Sequence, residues 1–431
     1  MKVKNYIELK EAIKSKETTI ELINSISVPN GISLGKGQKI ISDKDNILLS
    51  FINGDGIALS GDNEISGISI QTASKYRAIY IDSVEEDLGE IKLDNLVITG
   101  VVQLMTRGNN KALYVNIKNL DIVSADARNF PERPMKYGVN VYQGALTIYN
   151  FNPEKNSMIR VSAENISVGR EKAPVLGSGI FISGFNDNSG NVLVEKLITG
   201  NVYSNGMIPT GQPNLITGGI FIVYGAHAEE IISDGTVRTY GTNDMVLDVW
   251  GSVDSWIVRD NVVSYGASGI GFVNFGNVKY FRSEKSIETY GLGARGFNQY
   301  DGSIEEAYFE NIRTLGDGSI GMQFSKPVGT ITIGKEISTS GSKGKTLVKG
   351  EIVELKADAI SVLEGGEIKT LDIRGNLVTN GNDVVTFHVN GGNVKELKLE
   401  GNIIANGKSS KEVLIENGGK TDNRDIKKYL V

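Results

Sequence analysis

The sequence contains no cysteine, and only eight prolines, two histidines and two tryptophans among 431 residues. Each scarcity excludes a class of chemistry. Without cysteine there is no disulfide framework, thiolate metal site or cysteine nucleophile. The histidines, His227 and His388, lie far apart, so no histidine pair for a metal or a triad is visible, and each is expected at the surface. No run of eighteen apolar residues occurs, so no membrane-spanning helix is expected. Forty-five basic against fifty-one acidic residues leave a net charge of −6, the wrong sign for a phosphate-binding surface. The start, MKVKNYIELKEAIK, lacks the apolar core and small-residue cleavage site of a secretory signal. The chain is therefore expected either to stay where it is made or to be a mature, secreted or surface form with an added methionine.

What is abundant is glycine, fifty-two in all, and it is periodic. Gly241, Gly266, Gly291, Gly316 and Gly341 are each 25 residues apart. Two residues before each stands a hydroxyl (Thr239, Ser264, Thr289, Thr314, Thr339), and two before that an aliphatic (Val237, Val262, Ile287, Ile312, Ile337). A fixed period of this length marks a solenoid, and alternation within the unit makes it a strand. Charge tests the register. Asp234, Arg259 and Glu284 alternate in sign at the same step, as do Asp260, Lys285, Glu310 and Lys335. Stacked parallel strands about 4.8 Å apart tolerate that alternation and repel its opposite. These charges read as a solvated ladder.

The fold expected is a single-domain, all-β, right-handed parallel β-helix of about thirteen coils, the hand following the general preference of parallel crossovers. Residues 5–14 read as an amphipathic helix, so 1–17 is expected to cap the open end of the stack. Early coils occupy 18–125, coils with long loops 126–225, the regular repeat 226–341, a loop 342–356, the last coils 357–417 and a charged tail 418–431. Loops 126–136, 169–177 and 206–217 hold five of the eight prolines. Proline cannot donate to a ladder, so these loops leave the stack, all at one turn.

The coils with short turns, Gly241 to Gly316, then lie between two walls of loops. Their outward rows read Asp248, Val273, Asn298, Gln323 and, two residues on, Trp250, Phe275, Tyr300, Ser325. Aromatic rings beside amides and carboxylates suit a sugar chain; the competing reading is a plain stack of like residues. Trp250, Phe275, Asn298, Gln299, Gln323, Tyr142, Arg133 and Arg170 are the substrate-binding candidates. Arg295 interrupts an apolar row (Met245, Ile270, Ile320), and a guanidinium there suits a uronate carboxylate. Arg295, Asp248 and Tyr300 are the catalytic candidates. Basic residues on the wall loops (Arg128, Arg133, Arg170, Lys343, Lys345, Lys349) would draw an anionic polysaccharide, although loop solubility accounts for them equally well. A second aromatic row, Tyr240, Tyr265 and Tyr290, precedes the repeat glycines. No cofactor, metal, nucleic acid or membrane is expected; a homo-oligomer is compatible with the flat faces.

Recurrent phrases such as GNLVTNG and GIFISG resemble the pectate-lyase-like right-handed β-helix superfamily across nearly the whole chain. That superfamily includes polysaccharide lyases, glycoside hydrolases, epimerases, phage tailspikes and adhesin-type proteins. The resemblance implies the architecture. It transfers no catalytic residue, because the chain has no Asp-Asp pair, no Gly-His-Gly, no Asp-Pro-His-Glu and no clear counterpart of the clustered calcium aspartates. Two functions follow: a carbohydrate-binding β-helix, with lyase or hydrolase chemistry over coils 241–316, or a non-catalytic surface fibre or oligomer scaffold.

Overall fold

A computed structural model describes the chain except for Thr210, Lys349, Gly350, Asp422, Asn423, Leu430 and Val431, and the side chain of Leu347. Lys349, one of the basic wall residues, thus lies outside the described residues. The fold is an all-β parallel solenoid, as the period requires. The chain divides into two compact units. One comprises 1–134, 142–204 and 222–231, and the other 135–141, 205–221 and 232–431.

In the first unit a helix, Tyr6–Lys14, precedes the coils. Asn5 caps it by accepting from the Glu8 N–H, and Leu9 and Ala12 are buried. This is the expected amphipathic cap, with its apolar stripe turned inward. Long strands such as Asp87–Thr99, Ala112–Ser124 and Met158–Val168 then pair in parallel, in register. Buried and exposed residues alternate along them.

In the second unit the 25-residue step becomes vertical adjacency. Val237 pairs with Val262, Val262 with Ile287, Ile287 with Ile312 and Ile312 with Ile337. The charge ladder closes in part: Arg259 meets Asp234 at 2.8 Å and Lys326 meets Asp301 at 3.8 Å. Inside, Phe272, Phe281, Phe297 and Phe309 pack ring to ring at 4.2–5.4 Å between centroids. The hydroxyl row also faces inward: Thr314 donates to Ser319 O at 2.7 Å and Thr339 to Ala357 O at 2.6 Å. These two hydroxyls each satisfy a buried carbonyl, whereas those of Thr239 and Ser264 have no partner among the described residues.

The repeat glycines have a steric cause. A methyl group on Gly266 would lie 1.7 Å from the Gly241 carbonyl oxygen, one on Gly291 2.0 Å from that of Gly266, and one on Gly316 2.0 Å from that of Gly291. None of these three has a positive φ. Close approach of successive coils, and not a left-handed turn, therefore demands glycine there.

Candidate functional site

The outward face of the second unit is carried by the parallel strands Asp244–Val249, Ile270–Asn274, Arg295–Gln299 and Met322–Phe324. Register places Asp248 beside Val273, Val273 beside Asn298 and Asn298 beside Gln323. Periodicity gives these rows but does not say what covers them. Two segments do. Met135–Lys136 forms a small antiparallel ladder with Val139–Val141, and Asn140 and Val141 pair with Leu215 and Ile216. Tyr137, at the bend of that ladder, stacks on Phe275 at 4.4 Å and sets its edge against Trp250 at 5.4 Å. Trp250 is only 3% exposed in consequence. Phe275 and Tyr300 stack on each other at 5.0 Å. The aromatic floor is therefore roofed, its ring faces used on one another.

Beneath the roof is a pocket of about 530 Å³, its mouth included, whose interior has about 60 Å³ open to the centres of water molecules. The walls are mainly apolar: Val139, Pro213 and Ile216 from the covering segments, and Met245, Ile270 and Val273 from the coils. All three catalytic candidates, Asp248, Arg295 and Tyr300, line it together with the binding candidate Phe275.

The electrostatics of these residues are unusual. Arg295 is 1% exposed. One terminal nitrogen donates to the Tyr300 hydroxyl at 2.9 Å, the other to Thr346 Oγ at 3.4 Å, and Nε has no partner. Thr346 belongs to the hairpin formed by Lys343–Val348 and Glu351–Lys356 and donates to Gly293 O. The expected second wall thus reaches Arg295 itself. Among the described residues no carboxylate pairs with this guanidinium. A buried cation without a counter-charge costs several kcal/mol.

Asp248 is fully buried, and neither carboxyl oxygen has a hydrogen-bond partner. Burial pushes its pKa well above the ordinary carboxylate range; the Val249 N–H, too poorly placed to count as a hydrogen bond, offsets only part of this. Asp244, four residues away, has the opposite fate. It accepts from the Gly206 N–H, the Thr217 hydroxyl at 2.7 Å and the Gly241 N–H at 2.7 Å. Burial still raises it to about 6, against the pull of those donors. Asp244 fastens the covering segment to the coils, and Asp248 is left with no structural employment.

The remaining candidates lie elsewhere. Asn298 donates to Gln323 at 3.0 Å as a step in a polar ladder. Gln299 donates to Asp301 O and accepts from Asn274, a self-contained arrangement at the turn. Tyr142, Arg133 and Arg170 belong to the first unit. There Arg133 lies over the Tyr142 ring, and Arg170 is paired with Asp121. Tyr137, Ser268 and Asn243, which the period does not single out, also line the pocket. Tyr137 directly follows the loop 126–136 expected to leave the stack.

His388 is buried, not at the surface. Its Nδ1 faces Asp358 at 2.8 Å and its Nε2 faces Glu416 at 3.0 Å. Ser361 stands one strand away, but both ring nitrogens are taken, so no nucleophile relay exists there.

Comparison with protein families, with curated proteins and with solved structures finds no match to this chain.

Proposed function

We propose that the second unit binds an acidic carbohydrate through the pocket that holds Arg295 and Asp248, within the pectate-lyase-like branch of parallel β-helices that the coil phrases resemble. The observation that carries this is the buried Arg295 guanidinium, which has no carboxylate partner among the described residues. A uronate carboxylate would supply the missing charge, bidentate and desolvated, where such a pair is strongest.

If the bound sugar is also cleaved, the residue set favours elimination over hydrolysis. A glycosidase needs two carboxyls flanking one bond, and Asp244 is already occupied by Gly206, Thr217 and Gly241. For elimination, Arg295 would neutralise the carboxylate. Tyr300, whose hydroxyl accepts from Arg295, would take the proton from the adjacent carbon and return it to the departing glycosidic oxygen.

The second reading, a non-catalytic surface or scaffold β-helix, is favoured by the mutually stacked floor of Phe275, Tyr300 and Tyr137. Incubation with a panel of uronic-acid polymers and oligomers decides between them, following heat of binding, unsaturated-product absorbance and new reducing ends. Binding that disappears in Arg295→Met supports the carbohydrate reading. Flat responses in all three readouts across the panel leave the scaffold.

A further inference from the structure

The form of the pocket narrows its ligand beyond "acidic carbohydrate", and the argument rests on that reading. Two buried polar groups, each incompletely satisfied, share one apolar chamber without pairing with each other: Arg295 Nε and both oxygens of Asp248. Were they only structural, the low-energy solution would be an ion pair between them. Asp248 and Asn298 are two strands apart by register, and Arg295 lies on the strand of Asn298. Two strand spacings across and three residues along thus separate the Asp248 and Arg295 backbones by roughly 14 Å. Side chains reaching into the chamber from both positions leave the span of one ring.

The volume agrees. About 60 Å³ open to water centres accommodates a few waters, or one small ring that displaces them, but not a sugar chain. The walls set apolar Ile216, Ile270 and Val273, which suit the faces of a ring, beside the polar side chains of Asn243 and Ser268.

We infer that the pocket takes a single six-membered ring end-on, with a carboxylate on Arg295 and a hydroxyl across the ring on Asp248. Two sources share this chemistry: the terminal uronic residue of a glycan, and a free cyclic hydroxy acid. A protonated Asp248 donates to the ligand hydroxyl oxygen and an ionised one accepts its hydrogen, so a neutral hydroxyl satisfies the carboxyl in either state.

The test is calorimetric titration of the full chain with a ring series. The probes are glucuronate and galacturonate, trans-4-hydroxycyclohexanecarboxylate, cyclohexanecarboxylate, trans-4-aminocyclohexanecarboxylate, galactose, and a uronate trimer. Expected are binding of at least one hydroxy acid, about tenfold weaker binding of its deoxy analogue, and no binding of galactose. The trimer should bind within about threefold of its monomer. Preference for the sugar monomers over the cyclohexane acid assigns the source as a glycan end, and the reverse assigns a free acid. Asp248→Asn should retain carboxylate binding but compress the hydroxy-to-deoxy ratio towards one; Arg295→Met should abolish binding. If Arg295→Met fails to fold, the ligand series on the unmodified chain still decides.

Affinity that climbs tenfold or more from monomer to trimer would overturn end-on binding while leaving the carbohydrate reading intact. An amino acid bound better than the hydroxy acid would overturn the hydroxyl assignment to Asp248. Silence of every carboxylate, trimer included, would remove both.

Discussion

Replacing Gly291 with alanine tests the stacking geometry on which the site depends. The new methyl would lie 2.0 Å from the Gly266 carbonyl oxygen and 2.3 Å from its carbon, where ordinary contact begins near 3.4 Å. Both obstacles are backbone, so no rotamer relieves them, and the two coils must part locally by about 1.4 Å. Tyr290 N–H donates to Ser264 O at 2.9 Å one residue away, and parting on that scale breaks it. Overpacking costs about 1–3 kcal/mol, and the lost hydrogen bond about 1 kcal/mol more. The stiffer unfolded chain returns about 0.4–1 kcal/mol. The net expectation is about 1–3.5 kcal/mol of destabilisation, a fall in Tm of about 2–14 °C for a unit of this size. Gly35→Ala is the reference, since its added methyl meets only the flexible end of Gln38, at 3.2 Å. Calorimetric scans of the three proteins give the answer. An unchanged or raised Tm in Gly291→Ala would refute the claim that the 25-residue glycine exists for close approach of coils.

Three further outcomes are expected. His388 is more basic than an ordinary imidazole: burial opposes the charge, but hydrogen bonds and charge from Asp358 and Glu416 prevail. Its contribution is therefore complete below about pH 6.5 and fades as pH rises through the folded value; urea midpoints from pH 5.5 to 9 should show that decline, and His388→Gln should remove it. Asp244, raised to about 6 from about 3.9 when unfolded, binds its proton more tightly in the native state. Stability should therefore fall by about 3 kcal/mol between about pH 4 and pH 6, a slope absent in Asp244→Asn, while Asp244→Ala should speed proteolytic cleavage within 206–217. Tyr137→Ala should uncover Trp250 and shift its emission to longer wavelength, with Trp256, fully buried in the core, as the constant background; an unshifted spectrum would mean that Tyr137 is not the roof.

The exposed tyrosine row illustrates how far a periodic sequence can be read. Tyr240, Tyr265 and Tyr290 do stack, at 5.6 and 4.9 Å. Tyr265 and Tyr290 remain 41% and 39% exposed. The faces stacked on each other are not free for a sugar, so the row makes a poor platform for one. The same stacking leaves Phe275 and Tyr300 half-buried.

The sequence by itself determined the strand, the coil and the neighbour. In a parallel in-register stack, a residue's vertical partner lies one repeat away, so a linear period is already a map of contacts such as Ile287 on Ile312. It also marked Arg295 as the residue that breaks an apolar row. Tertiary structure alone decided which rows see water. The Tyr137 hydroxyl reaches the Phe275 carbonyl across 138 residues of chain, and Thr346 reaches Arg295 across 51. Segments that leave the ladder obey no period, and their resting place follows from where apolar surface is left to cover. That covering step makes Asp248 a buried, unpartnered acid and turns an open face into a pocket.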